Sequence, residues 1–326
     1  MEATEKVSIV VPVYNVAPYL SRCVDSLLGQ TYPNVQIVLV DDCSKDNSRQ
    51  IIARYAEQDE RICPVYQEQN QGVSAARNRG LDACVGEWIG FCDGDDWFAP
   101  DFLEKMLACA AKEQADYLIC NYQIVSDFGA PIVSGSISAL LDQPDTKLVI
   151  ACGPTSSCTH LVRREVFAKA NVRYPVGLRQ NEELPVIPVL AKYADKIAVL
   201  NEPLYNYYQR GDGTSASNIA SGSEQNFFTG WNLMRQALGE GYEAEAEYHA
   251  IYALFYGEIL SLCKQKATKK AILEKIREYK AQFPRWESNP YLPYMGSAKN
   301  LFLQLFRRNC VIGLRLLAWV HQKIVK

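Results

Sequence analysis

Residues 7–13, Val-Ser-Ile-Val-Val-Pro-Val, form an almost unbroken apolar run rich in β-branched side chains, the pattern of a strand covered on both faces. Leu20, Cys23, Val24, Leu27 and Leu28 follow at helical spacing and stop near Pro33. A second apolar run at 35–40 ends on Asp41 and Asp42. A helix is predicted over 48–56, a strand over 63–66, a helix over 73–83, a strand over 88–92 and a helix opened by Pro100 that runs toward Glu113. Repeated βα units of this kind predict an α/β fold, with a mostly parallel, doubly wound, Rossmann-like sheet and helices on both faces.

The pattern loosens after residue 117. Short strand-like stretches at 117–124 and 197–200 flank a helix at 164–170 and another near 183–194. A polar stretch at 211–217 reads as a break, and the chain from 226 onward is helical, interrupted at 284–293. The expected division is 1–217 and 218–326. The composition, 48% apolar and 22% charged, is that of a globular protein, and a net charge of −3 argues against a nucleic-acid binder. The eleven cysteines are scattered between Cys23 and Cys310 without a C-x-x-C pair, so they read as reduced thiols of a cytoplasmic protein rather than zinc ligands or disulfides. The polar start suggests no signal peptide. No apolar run reaches the roughly 18–20 residues that a membrane-spanning helix needs.

The chemistry is concentrated in Phe91-Cys92-Asp93-Gly94-Asp95-Asp96, where a strand runs into three carboxylates. Such charges repel one another unless something positive neutralises them, and a hard divalent cation with oxygen ligands can do so. A solvated acidic turn is the blander account. Carboxylates also close the earlier strand at Asp41 and Asp42, which would put both groups around one crevice at the strand ends. Tyr14 and Asn15 follow the first strand, where an aromatic ring could stack on a base or simply pack. Asn70, Gly72 and Arg77 belong to a loop and small-residue helix start of a kind that favours anions.

Taken together, these motifs resemble the family 2 glycosyltransferases, which have the GT-A fold. The resemblance rests on VSIVVPVYN at 7–15, SLLGQTY at 26–32, VLVDDCS at 38–44, NQGVSAARN at 70–78 and FCDGDD at 91–96. It implies that Pro12, Tyr14, Asn15 and Asp42 hold the base end of a nucleotide-sugar, the aspartate reading its imide edge, with Asn70, Gly72 and Gly94 beside them. It places Arg77 where an arginine steadies the base and the Asp cluster. Asp93 falls near the ribose, and Asp95 is the ligand of a Mg²⁺ or Mn²⁺ ion on the donor diphosphate. The family's catalytic base is the aspartate of a Glu-Asp pair, but this chain has Glu182-Glu183 in that place, a departure that moves the carboxylate by more than about 1 Å. The alternative is that the two glutamates only charge a helix N-terminus. Arg210 is aligned with a segment that closes over the phosphates. His160 falls where a lysine often meets the acceptor, though a lone histidine is more often structural. The Q-x-x-R-W motif of processive synthases is absent, so single-sugar addition to a glycan or lipid-linked acceptor is implied. This reading is an inverting enzyme of surface-polysaccharide assembly, using a UDP-sugar. A catalytically silent nucleotide-sugar-binding module and a nucleotidyltransferase are the competing readings.

Residues 296–326 contain no acid, while Lys299, Arg307, Arg308, Arg315, Lys323 and Lys326 are basic. At 100° per residue Leu301, Leu305, Ile312, Leu316 and Trp319 share a face. A single amphipathic helix on the cytoplasmic membrane surface, or an ordinary packed helix, would both look this way.

Overall fold

The computed structural model describes residues 5–127, 130–134, 137–141, 144–210 and 223–324. The chain divides into two compact units, Met1–Asn226 and Phe227–Lys326. The boundary expected at 217 lies outside the described residues, as does the polar stretch at 211–217.

In the first unit β1 (Val7–Val13), β2 (Val35–Asp41), β3 (Ile62–Tyr66) and β4 (Trp88–Phe91) are all parallel, in the order β3-β2-β1-β4. Each connection carries a helix: α1 (Ala17–Leu28), α2 (Ser48–Gln58) and α3 (Val73–Ala83). Val7, Ile9, Val10 and Val11 are wholly buried, which is why the run shows no alternation.

Beyond β4 the sheet becomes mixed. After β5 (Trp97–Phe98) and α4 (Phe102–Glu113) come β6 (Tyr117–Val125), β7 (Ile132–Val133), α5 (Thr146–Cys152), β8 (His160–Arg163), α6 (Arg164–Ala170), α7 (Ile187–Tyr193) and β9 (Ile197–Tyr208). β8 lies antiparallel between β4 and β6, β9 runs parallel to β6, and β5 pairs antiparallel with β9.

β5, β7, α5 and β8 have no counterpart in the sequence expectation, and two expected elements have other bounds. β9 continues to Tyr208 instead of stopping near 200, because a register shift lets Cys120 pair with Leu200 and Asn121 with Pro203. A bulge of this kind absorbs the extra residues and lets the strand resume. α7 starts at Ile187 rather than near 183, so Glu182 and Glu183 sit in the turn before it, where the backbone N–H of Ile187 already bonds to the carbonyl of Glu183 at 3.0 Å.

The second unit is helical: α8 (Ser223–Leu238), which begins just before the unit boundary, α9 (Glu243–Ala250), a π-helical segment at Ile251–Glu258, α10 (Ile259–Lys264), α11 (Lys269–Gln282), α12 (Ser297–Arg307) and α13 (Val311–Ile324). Its core centres on Phe255, whose ring lies 4.6 Å from that of Phe306, 5.2 Å from Trp286 and 5.9 Å from Tyr279. The single tail helix read from the sequence is two helices, broken where Asn309 takes a left-handed φ of 56°. Among the described residues no helix is long and apolar enough to cross a membrane.

Candidate active site

Three loops meet at the carboxyl ends of β1, β2 and β4. Asn15, in a left-handed conformation, locks the first two together. Its backbone N–H donates to Ser44 Oγ (3.1 Å), and its side-chain oxygen accepts from the N–H of Lys45 (2.8 Å). Asp46 Oδ2 and Ser48 Oγ accept from Ala17 N and Val16 N at the start of α1. Tyr14 projects from this junction with 42% of its surface exposed, next to Pro12 near the end of β1.

Asp42, 2% exposed, organises the loop before α3. Its carboxylate accepts from Gln67 Nε2 (2.6 Å) and from the backbone N–H groups of Gln71 and Gly72 (both 2.8 Å). Asn70 Nδ2 donates to its carbonyl at 3.3 Å. Gly72 has φ +88°, with open space where a Cβ would stand, so backbone conformation rather than crowding calls for glycine. The neighbouring Asp41 is also buried, and its Oδ2 has no hydrogen-bond partner.

α3 carries Arg77 and Asn78 into the centre. Arg77 is 3% exposed. Its Nη1 donates to Glu182 Oε1 (2.9 Å), and its Nη2 lies 3.2 Å from Asp93 Oδ1 and 3.4 Å from Glu183 Oε1. Burial opposes the guanidinium charge, but Glu183 and Asp93 outweigh it and hold the pKa well above the ordinary value. Asn78 clamps the loop that brings in the glutamates: its Nδ2 donates to the Tyr174 carbonyl (2.8 Å), and its Oδ1 accepts from Tyr174 N (2.9 Å). Tyr174 shares a hydrogen bond with Ser157 Oγ (2.8 Å), and Ser157 N donates to Glu183 Oε1 (2.7 Å). Burial, only partly offset by Arg77 and reinforced by Glu182 and Asp93, pushes the Glu183 carboxyl up to about 7.

The acidic turn is held from both sides. At Gly94 a Cβ would come 3.0 Å from Val16 Cγ2 and 3.3 Å from the Pro12 carbonyl, so glycine lets the turn approach the β1 loop. Asp95 Oδ2 pairs with Arg210 Nη2 at 2.6 Å, and its carbonyl accepts from Arg22 Nη2 at 3.0 Å. Burial and then Asp93 raise its pKa. Asp96, 1% exposed, accepts from the Tyr205 hydroxyl and from Tyr208 N (2.8 Å), and burial together with Asp93 and Asp95 lifts its pKa to about 8. The sequence marks Asp96 only as the third acid of the turn, and Tyr205 and Tyr208 only as part of the segment leading to Arg210; it gives none of the three a role. They meet because β9 runs on past its bulge, and the tyrosine-rich stretch at 205–208 is the signal that could have pointed to the two tyrosines.

Among the sequence candidates, Arg77, Asp93, Glu182 and Glu183 form one ion cluster, and Asp95 pairs with Arg210. Arg77 spends both Nη atoms on carboxylates and so steadies the acidic cluster. His160 takes the structural place that a lone histidine more often has, not the acceptor contact. It is 2% exposed inside the sheet, its ring sits 5.4 Å from that of Tyr117, and its Nδ1 is 2.8 Å from the Ser156 carbonyl. Burial drops its pKa to about 4, so it is a neutral core residue with no surface for an acceptor.

The oxygen donors at Asp93 and Asp95 suit a hard cation, and the guanidinium of Arg210 shows that Asp95 takes a positive partner. Among the described residues no group of three or more His, Cys, Asp or Glu could hold a metal unaided. Mg²⁺ would therefore fit as it commonly does, on one or two carboxylates with substrate phosphate and water completing the shell.

The fold matches solved glycosyltransferase structures along almost its entire length. Staphylococcus aureus TarS 1–349 in complex with UDP-GlcNAc superposes with a TM-score of 0.68 at 22% identity, covering 98% of this chain and 92% of that one. The mannosyltransferase PcManGT from Pyrobaculum calidifontis, in complex with GDP-Man and Mn²⁺, gives 0.56 at 16% identity, covering 98% and 87%. The first unit is a GT-A domain, followed by a helical C-terminal region. Glycosyl transferase family 2 matches residues 8–169. The putative glycosyltransferase EpsH of Bacillus subtilis is 36% identical over 211 residues, 63% of this chain and 61% of EpsH. The putative teichuronic acid biosynthesis glycosyltransferase TuaG of the same organism is 30% identical over 204 residues, 62% of this chain and 78% of TuaG. The chain belongs to glycosyl transferase family 2. It spans about three fifths of the length of the first curated relatives it matches.

Proposed function

We propose that this chain is an inverting glycosyltransferase that moves a sugar from a UDP-sugar to an acceptor hydroxyl on a glycan or lipid-linked saccharide, in surface-polysaccharide assembly at the cytoplasmic face of the cell. The observation that carries this reading is a carboxyl raised to about 7, Glu183, joined through Arg77 to the Asp93 end of the acidic turn. A base with a pKa near the working pH is best matched to removing a hydroxyl proton. Glu183 takes that proton as the acceptor oxygen attacks the anomeric carbon from the face opposite the leaving diphosphate. Ser157 N and Arg77 fix one oxygen of Glu183, leaving the other to face the acceptor.

At the donor end, Tyr14 stacks on the nucleobase and Pro12 lines its slot. Asp42 holds the loop that borders it and has lone-pair capacity left on Oδ2 for an imide N–H. Asp95, with Asp93 beside it, would hold Mg²⁺ or Mn²⁺, and the bound cation would neutralise charge building up on the departing diphosphate. Arg210 turns from Asp95 to a phosphate oxygen when donor enters. Binding of UDP-GlcNAc by TarS and of GDP-Man with Mn²⁺ by PcManGT supports donors of this class. The test is calorimetry with UDP-, GDP-, CDP- and dTDP-sugars, with and without EDTA, followed by an assay for nucleoside diphosphate release with acceptor present. Uptake of a UDP-sugar that EDTA abolishes, with release that Glu183→Gln removes, is the expected outcome. Uptake without turnover across a broad acceptor panel would make the chain a silent binding module instead.

A further inference from the structure

α13 begins just after the left-handed turn at Asn309. α13 packs on α10 and α12 and buries Val311, Leu314 and Ala318. This leaves Ile312, Leu316 and Trp319 pointing outward at 81%, 60% and 58% exposure. At 100° per residue the three lie within about 60° of one another, one above the next along the helix. Exposed large apolar side chains occur singly on most proteins, but three in register on one short helix form a patch.

The residues around the patch identify its occupant. Arg315, whose Nη2 donates to the Ala267 carbonyl, and Lys323 border the stripe on α13, with Lys323 Nζ 5.9 Å from the Trp319 ring, and exposed Arg308 precedes the helix. No carboxylate occurs anywhere in 296–326, in a chain whose net charge is −3. A protein partner covering the stripe would have to supply acids to match those cations. An anionic bilayer supplies them as a continuous field and also takes up the apolar row. Trp at the edge of such a row is the side chain that settles at a headgroup boundary. α13 is 14 residues long, suited to lying in the interface and too short to cross it.

We propose that α13 is a membrane-docking helix that seats Ile312, Leu316 and Trp319 among the acyl chains of an anionic lipid surface while Arg308, Arg315 and Lys323 contact the headgroups. The proposal is independent of the donor chemistry and can fail while that reading stands. The test is co-sedimentation of the full chain with vesicles of equimolar phosphatidylglycerol and phosphatidylcholine, against vesicles of phosphatidylcholine alone. The wild-type chain should partition to the anionic vesicles, and added salt should weaken this binding. Ile312→Ser/Leu316→Ser/Trp319→Ser should lower partitioning at least ten-fold. Arg308→Glu/Lys323→Glu should lower it about five-fold or more for each charge removed, taking the usual worth of a basic residue at an anionic surface. Both variants alter exposed positions, so their melting curves and UDP-sugar affinity should match the wild type. Equal partitioning of wild type and triple variant, or no preference for anionic over neutral vesicles, would overturn the proposal. So would light scattering that shows the stripe holding two copies together while vesicles leave it unbound.

Discussion

Glu183→Gln should make this protein more stable and much less active, and both effects can be worked from one carboxyl. Its pKa in the fold is about 7, against an ordinary 4.5. Below pH 4.5 the folded and unfolded chains both hold the proton, so nothing is lost. As the pH rises past 4.5 the unfolded chain releases it first, and the fold loses stability until its own carboxyl ionises near 7. Above that the loss is roughly 3 kcal/mol, at about 1.4 kcal/mol per pH unit. Glutamine keeps the acceptor oxygen for Ser157 N but never ionises, so it escapes the loss. The variant should therefore melt about 6–12 °C higher than wild type at pH 8, taking roughly 2–4 °C per kcal/mol for a unit of this size, and close to wild type at pH 4. Transfer should fall about 10²–10⁴-fold, with UDP-sugar affinity unchanged. The wild-type kcat/KM should rise with pH to a plateau whose midpoint is near 7. The assays are differential scanning fluorimetry across pH and a coupled UDP-release assay. A variant that transfers sugar at the wild-type rate, or melts no higher at pH 8, would refute the assignment of that carboxyl as a raised-pKa base.

Asp95→Asn should remove the EDTA-sensitive part of donor binding while leaving the melting temperature near wild type, read by calorimetry with UDP-sugar and Mn²⁺. Arg210→Ala should act in opposite directions on two ligands. It frees Asp95 Oδ2, so Mn²⁺ uptake by the donor-free chain, followed by electron paramagnetic resonance, should increase, while affinity for UDP should fall; equal losses in both would contradict the pairing. Tyr205→Phe deletes the hydroxyl that donates to buried Asp96, which should cost about 1–3 kcal/mol in urea unfolding. Because the Asp96 pKa stands at about 8, well above its ordinary 3.8, wild-type stability should also decline as pH rises from about 4 through 8.

The site gathers its acids deliberately close, and the consequences are coupled. Asp93, Asp95, Asp96, Glu182 and Glu183 all lie on two loops, and burial raises the pKa of Asp95, Asp96 and Glu183. Two arginines answer that charge. Arg77 is a buried counterion that ties Glu182 and Glu183 to the acidic turn, whereas Arg210, just past the end of β9, pairs with Asp95. A donor carrying its own cation and its own phosphates gives each partner of that second pair a new one, which is the physical basis for expecting Arg210 to move and Arg77 to stay.

The parallel half of the sheet was legible in the sequence, because strands buried on both faces show as unbroken apolar runs and each ends in a polar motif at one edge. The acidic turn and the Asp41-Asp42 pair were legible because their chemistry is local, whereas Glu182-Glu183 stood out only through the family resemblance. Long-range pairing was not legible. Nothing near residue 200 announces that a bulge opposite Asn121 carries β9 on to Tyr208, yet that continuation delivers Tyr205 to Asp96 and Arg210 to Asp95. The sequence left His160 between an acceptor contact and a structural residue, because a sequence shows residue type and not depth, and its burial decides for the second. The tail read as one helix because its period continues across Asn309, and only the left-handed turn there divides it and decides which apolar residues are buried. Periodicity records which side chains avoid water within one element. Which elements meet, and therefore which charges face each other, depends on register and packing between segments far apart in the chain.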